Sequence, residues 1–252
     1  MKGFFILLLA LLVGGYDLFL LPDYAEDDRH PCTIRVKRGQ DLRRILMNIN
    51  GWEVVCLTRG IWDIDESVEL IDSMKIRGVG PGRSVIKLHN GANISMWGPR
   101  ANDWIMVYLE GLKIIGADPG SWGITTASYV VGQFTNIETK GLQRAMVLFS
   151  EANVSVMDSK LESFEGITVQ SKSQLDIMDS EILSNLHGIA IITDHPTRHN
   201  IINTKIRSTG EIEDNIEYGV LAGGFYGDVL LEKSRIIGFD VGVRLNSDHT
   251  LL

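Results

Sequence analysis

The sequence predicts an all-β solenoid, a stack of coils built from short strands around one shared core. Three observations lead there. A small residue followed by an apolar one recurs at Gly123-Ile124, Ala145-Met146, Gly166-Ile167, Gly188-Ile189, Gly219-Val220 and Gly242-Val243, at intervals of 22, 21, 22, 31 and 23 residues. A second marker keeps the same beat: NIET at 136, DSKL at 158, DSEI at 179, NTKI at 203 and KSRI at 233, with a weaker GLKI at 111. Glycine is abundant at 26 residues and proline scarce at 6, and Val, Ile, Thr and Leu fall in short runs, which favours a turn-rich β protein over helices. Leucine-rich repeats share the period, but their Leu-x-x-Leu-x-Leu frame is absent. One coil cannot bury its apolar face alone, so coils stack.

The elements follow in order. Residues 1–29 begin with Met1 and Lys2, continue with an apolar core over Gly3–Val13 and reach small residues at Gly14 and Gly15. That is the anatomy of a secretory signal, with a cut after Gly15 and Val13 at the −3 place. Tyr16–Leu21 prolongs the apolar stretch, so an uncleaved membrane tether through residues 3–21 is the alternative, with Lys2 inside and the acidic Glu26–Asp28 outside. Both readings put the domain, residues 30–252, outside the cytoplasm: periplasmic or secreted, or membrane-anchored. The formal charge of −8 disfavours a nucleic-acid partner, which needs clustered cations, and mildly disfavours polyanionic glycans. Cys32 and Cys56 have no metal-type spacing and could pair in an exported protein or stay as separate buried thiols. TIRVKRG at 33–39 reads as a strand. QDLRRILMNIN at 40–50 places Leu42, Ile45, Leu46 and Ile49 on one helical face, with Gly51 as its stop. An amphipathic helix there suits an N-terminal cap over the first full coil. Glycine-punctuated strands follow to residue 89.

The stretch GQDLRRILMNINGWEVVCLTRGIWDI, then KIRGVGPGRSVIKL, followed by these coils, resembles the pectin-lyase-like superfamily over roughly residues 33–246. The resemblance implies a right-handed, single-stranded parallel β-helix. It also implies contact with polysaccharide, since the superfamily holds lyases, polygalacturonases, epimerases and phage depolymerases beside members of unknown activity. Fold alone does not choose among them.

In such a solenoid equivalent residues of successive coils lie about 4.8 Å apart, so chemistry is read down columns. The first column is Gly111, Asn136, Asp158, Asp179, Asn203 and Lys233. Its stacked side chains suit a corner ladder, bonding one another and the turn amides. Asp158 and Asp179 could alternatively hold a hard cation such as Ca²⁺, which would need more oxygens than these two supply. The second column, Lys113, Glu138, Lys160, Glu181, Lys205 and Arg235, largely alternates in sign and reads as a solvated salt-bridge face. The third column precedes each small residue: Trp122, Arg144, Glu165, His187, Tyr218 and Val241. Aromatic faces stack on sugar rings, and carboxylate and imidazole can carry acid–base work. LHGIAI at 186–191 resembles the Gly-His-Gly-Ile segment of polygalacturonases, and GVRL at 242–245 resembles their Arg-Ile-Lys segment. Where that family has paired aspartates this chain has Phe164 and Glu165, and its Asn-Thr-Asp becomes Gln143, Arg144 and Ala145. Inverting hydrolysis needs two carboxylates around a water, and only Glu165 stands in the file, so polygalacturonase activity does not follow.

The interval of 31 residues marks a loop. TDHPTRHN at 193–200 carries Asp194, His195, Arg198 and His199; STGEIEDN at 208–215 carries Glu211, Glu213 and Asp214. The His195/His199 spacing would suit zinc on a helix, but Pro196 and the shortness of the segment favour a polar loop bordering a glycan groove. Trp97, Trp104 and Trp122 fall close in sequence, either as a sugar platform on one flank or, for Trp104, as core or cap packing.

These readings predict an exported β-helix domain that binds or processes polysaccharide, with no resident cofactor other than the Ca²⁺ alternative. If it is active, lyase, epimerase or hydrolase chemistry would use Glu165, His187 and Arg144, since lyase and epimerase steps need a base and positive charge at the sugar. Trp122, Tyr218, Asp194, His195 and Arg198 are the expected substrate contacts. The alternative is a non-catalytic envelope scaffold or adhesin-like solenoid binding a protein partner. A groove beside Glu165 and His187 favours the first; a filled surface favours the second.

Overall fold

The computed structural model describes residues 31–99, 103–118, 120–210, 216–224 and 228–246. The predicted leader, the loop acids Glu211, Glu213 and Asp214, and the terminal Leu251 and Leu252 lie outside the described residues. No helix among the described residues is long and apolar enough to cross a membrane.

Each coil lays one strand on each of three faces. A middle coil uses Gln174–Met178, Glu181–Ser184 and His187–Ile192; the next uses Arg198–Ile202, Lys205–Ser208 and Tyr218–Gly223. Every such strand pairs in parallel with its counterpart one coil on, as Ile177 does with Ile201, Ile182 with Ile206 and Ile189 with Val220. Three longer strands, Ile105–Gly116, Val130–Leu148 and Lys160–Gln170, run round corners and join the faces into one hydrogen-bonded ladder. The expected fold class, an all-β parallel β-helix, is borne out.

Winding begins earlier than the repeat suggests. Ile34–Val36 already pairs with Glu53–Leu57, and that strand with Met74–Arg77. These first coils lack the small-plus-apolar marker, because Ser67 and Asn93 precede Val68 and Ile94 where glycine would stand. The predicted helix is shorter than its apolar pattern. It spans Leu42–Leu46 (α1), starting where the Asp41 carboxylate accepts from the Arg44 N–H at 2.9 Å. Leu42 and Leu46 are buried, and Ile49 joins the same core from the turn beyond. Beside this end Cys32 and Cys56 form a disulfide, which decides between the two states left open.

The core is three stacks of apolar side chains. On the first face Ile76, Leu109, Phe134, Val156, Ile177 and Ile201 lie in register. On the second stand Ile86, Ile114, Leu161, Ile182 and Ile206, with Thr139 between Ile114 and Leu161, and on the third Ile94, Ile124, Met146, Ile167, Ile189 and Val220. Each of these apolar residues is at most 1% exposed, and burying such a side chain is worth roughly 1.5–3 kcal/mol.

The small residue of the repeat is explained at the corner leading into the third face. A Cβ on Gly188 would lie 2.2 Å from Ile206 Cγ2 and 2.5 Å from the Gly219 carbonyl oxygen; on Gly166 it would lie 2.1 Å from the Gly188 oxygen. Coils approach too closely there for a side chain, although Ala145 holds the same column.

The first predicted column lies at the corner between the first and second faces. Gly111, Asn136, Asp158, Asp179, Asn203 and Lys233 all have φ between 47° and 64°. Glycine, Asn and Asp tolerate this left-handed conformation best, which accounts for the composition of the column. A ladder exists here, as the Asn203 amide donates to the Asp179 carboxylate at 2.5 Å. Its stronger rungs are the next residues. Ser159 and Ser180 hydroxyls donate to the carbonyls of Met157 and Met178, both at 2.7 Å. In turn each accepts a backbone N–H from the preceding coil, Ile137 onto Ser159 and Ser159 onto Ser180, both at 3.1 Å. Thr204 and Ser234 continue the pattern. No group of three or more His, Cys, Asp or Glu side chains stands close enough for a metal ion among the described residues.

Candidate functional site

The second predicted column forms as a charged file on the second face. Lys113 meets Glu138 at 3.0 Å, and Glu181 meets Lys205 at 3.1 Å and Lys160 at 3.8 Å. These pairs are partly exposed, so each supports the register by only a few tenths of a kcal/mol.

The third column also stands in register, at the corner where the second face turns into the third. Trp122 pairs with Arg144, Arg144 with Glu165, and His187 with Tyr218, which pairs with Val241. The small-residue column places these side chains, because each sits immediately before the residue that must be small. Arg144 Nε donates to Glu165 Oε2 at 2.7 Å and its terminal nitrogen to Oε1 at 3.4 Å. The same guanidinium lies 5.0 Å from the Trp122 ring centre. Further along, the His187 and Tyr218 rings pack at 5.4 Å. Arg244, one coil on, lies 5.4 Å from the Tyr218 ring centre and donates to its hydroxyl oxygen.

Within the file, His187 is the group whose tautomer the structure defines. Its Nδ1 lies 3.0 Å from the Leu186 carbonyl oxygen, which can only accept, so Nδ1 carries the hydrogen and Nε2 the lone pair of the neutral ring. Burial pushes its pKa below the ordinary value against the Leu186 bond and the Glu165 charge, and the Arg144 charge adds to the lowering. The imidazole is therefore neutral at pH 7 and able to accept a proton. Glu165 is placed differently, because both of its oxygens accept from Arg144.

The remaining predicted contacts do not join this file. Asp194 and His195 lie beyond the far end of the strand His187–Ile192, about 20 Å of extended chain away. There they bond each other at 2.6 Å, beside Glu151 and Lys172, which pair at 3.0 Å. Arg198 opens the next strand and stands exposed opposite Asp228. Residues 198–200, expected in the loop, belong to that strand, and its alternation turns His199 inward. With no exposure, hydrogen-bonded to the Leu175 backbone and the Thr197 hydroxyl, His199 cannot share a zinc with His195.

The three tryptophans do not share a flank. Trp122 opens a strand of the third face, while Trp97 and Trp104 lie past the far end of the neighbouring strands, Ile94–Met96 and Trp122–Thr126. Trp104 is 41% exposed and packs edge-on against Tyr129 at 5.6 Å, so it is not core.

Two features escaped the sequence reading. Arg244, quoted above only within GVRL, reaches from the strand one coil on back to the Tyr218 ring and hydroxyl. On the outer side of the first face, Trp52, Lys75, Tyr108, Glu110, Gln133 and Thr135 line a groove of about 290 Å³. Its signal in the sequence is the column Lys75–Tyr108–Gln133, which carries the coil register back before residue 104.

No protein-family model matches the chain, and no curated protein matches it. Among solved structures it is similar to the A-module of mannuronan C-5 epimerase AlgE6 from Azotobacter vinelandii, with 15% identity over 82% of this chain and 93% of that one and a TM-score of 0.24. The AlgE4 A-module of the same organism gives 13% identity over 78% and 90%, with a TM-score of 0.22. The catalytic domain of a GH87 α-1,3-glucanase in complex with nigerose gives 11% identity over 91% and 71%, with a TM-score of 0.25. Scores this low carry no argument about activity or substrate. The parallel β-helix stands on its own strand register.

Proposed function

We propose that this chain contacts polysaccharide outside the cytoplasm along the corner between its second and third faces. One observation carries the reading: Trp122, Arg144, Glu165, His187 and Tyr218 occupy a single file, one per coil. A ladder of ring-stacking, cationic, acidic and basic groups with regular spacing suits a ligand that is itself a regular chain of rings. A neutral His187, with Arg144 two coils before it and Arg244 two coils after, can accept a proton from a carbon acid whose product anion a cation of the file stabilises, which is lyase or epimerase chemistry. Glu165 positions Arg144. Export is supported by the apolar leader and by the Cys32–Cys56 disulfide, since such bonds persist in oxidising compartments. The leader acts either as a cleaved signal or as a tether through residues 3–21.

The test is a panel of uronate and neutral polysaccharides assayed for binding, unsaturated ends and epimerised product. His187→Ala should abolish turnover while leaving binding largely intact; Glu165→Gln should weaken both. Turnover that survives His187→Ala would remove it as the base. A second reading has its own observation. The charged members of the file are mutually satisfied, as expected for a non-catalytic scaffold whose corner is a filled surface. Failure of the whole panel to bind or turn over selects that reading.

A further inference from the structure

The groove on the first face lies on the side of the solenoid that does not adjoin the corner file. Its floor is two outward columns of three successive coils, Lys75–Tyr108–Gln133 and Arg77–Glu110–Thr135. Trp52, from the turn before the strand Glu53–Leu57, forms one wall. It is 44% exposed and meets Tyr108 edge to face, with ring centres 5.5 Å apart and planes at 81°. An edge-to-face pair covers only one face of one ring, so aromatic surface stays open to the groove.

The polar floor is organised around Glu110. Lys75 Nζ lies 2.6 Å and Arg77 Nε 3.3 Å from the same oxygen, Oε2. Side-chain exposure is 14% for Lys75 and 2% for Arg77, against 42% for Glu110. The two cations are thus held under the carboxylate, which is the member that reaches solvent. Burial works to raise the Glu110 pKa, and Lys75 and Arg77 together overcome it and hold the group below its ordinary value. The groove therefore offers a fixed carboxylate, the Lys75 ammonium and the Gln133 amide and Thr135 hydroxyl beside an open aromatic face.

We propose that this groove is a second binding site, for a neutral sugar ring stacked on Trp52 with its hydroxyls donating to Glu110 and accepting from Lys75 and Gln133. The exposed carboxylate selects against acidic sugars, because a uronate would face Glu110 across the floor. An apolar ring would displace water from the exposed side of the Glu110 carboxylate and offer it no hydrogen bond in return. The proposal does not rest on the corner file, which lies on a different part of the solenoid's surface although two of its coils, those of Trp122 and Arg144, also contribute to the groove.

The experiment is isothermal titration of the full chain with oligosaccharides of glucose, mannose and xylose, with oligogalacturonate as the acidic comparator. The variants are Trp52→Ala, Trp52→Phe, Glu110→Gln and Glu165→Gln, each checked for an unchanged melting temperature. At least one neutral series should bind, weakening about tenfold or more in Trp52→Ala and recovering much of that in Trp52→Phe. Glu110→Gln should weaken it too, and the loss on Trp52→Ala should be the same size when it is made in a Glu165→Gln background, which separates this site from the corner file. The proposal is overturned by absence of binding to every neutral series, by binding indifferent to Trp52→Ala, or by Trp52-dependent binding that favours oligogalacturonate.

Discussion

His199 should make this fold sensitive to mild acid. Its side chain sits inside the solenoid, beneath Leu175 and in register with Val229. Nδ1 accepts the Leu175 backbone N–H at 3.2 Å, and since that N–H can only donate, Nδ1 carries no hydrogen. Nε2, 3.0 Å from Thr197 Oγ1, carries it instead. A second proton would break the Leu175 bond and put a charge in the core. Burial accordingly pushes the pKa from 6.5 to about 4, with Asp176 working weakly against it. The unfolded chain takes up the proton near pH 6.5 and the folded chain only near pH 4. The neutral-core contribution is thus fully present above pH 6.5 and is lost as pH falls toward 4. At about 1.4 kcal/mol per pH unit the whole effect is roughly 3 kcal/mol, and about 2 kcal/mol of it falls between pH 7 and pH 5. Urea denaturation followed by circular dichroism at those two pH values reads it directly. His199→Leu should be less stable at pH 7, having lost the bond to Leu175, yet should lose about 2 kcal/mol less than the parent on going to pH 5. His187 is shifted in the same direction but is common to both proteins. An equal loss in both would refute the assignment of the acid sensitivity to His199.

Gly188→Ala should cost about 1–3 kcal/mol, seen as a lower urea midpoint, because the new Cβ meets Ile206 Cγ2 and the Gly219 oxygen at contact distances no rotamer relieves. Ser180→Ala should cost about 1–3 kcal/mol by stranding the Ser159 N–H, whereas Asp179→Asn next to it should stay within about 0.5 kcal/mol. Replacing both Cys32 and Cys56 by Ser should lower stability by about 3.5 kcal/mol, the loop-closure value for a separation of 24 residues, and reduction of the parent should mimic it.

The fold was legible because a solenoid writes its geometry into the sequence once per coil. Gly188-Ile189 and Asp179-Ser180 recur because the same close approach and the same left-handed corner recur. The register of Arg144 on Glu165 followed from counting alone. Other features needed coordinates. That His199 faces inward depends on which residue of 193–200 begins the strand, and Pro196 gives no fixed phase. The serine hydroxyls beside Asp158 and Asp179 carry no signal of their own in the sequence, yet at this corner the exposed carboxylate is chosen for its backbone and the buried hydroxyl for its hydrogen bonds. The groove at Trp52 is hidden in the sequence because the early coils keep the columns without the small-plus-apolar marker that makes the period visible.

The corner file takes one residue from each coil, with no two of its members adjacent in the chain. Such a site is modular in a way that a loop-built site is not. Duplication of a single coil would insert one more rung and lengthen the file by one strand spacing, with the rungs on either side unaltered. Loss of a coil would shorten it by the same step. Under the function proposed above, coil number would set how many ligand units the file spans, with the existing contacts kept.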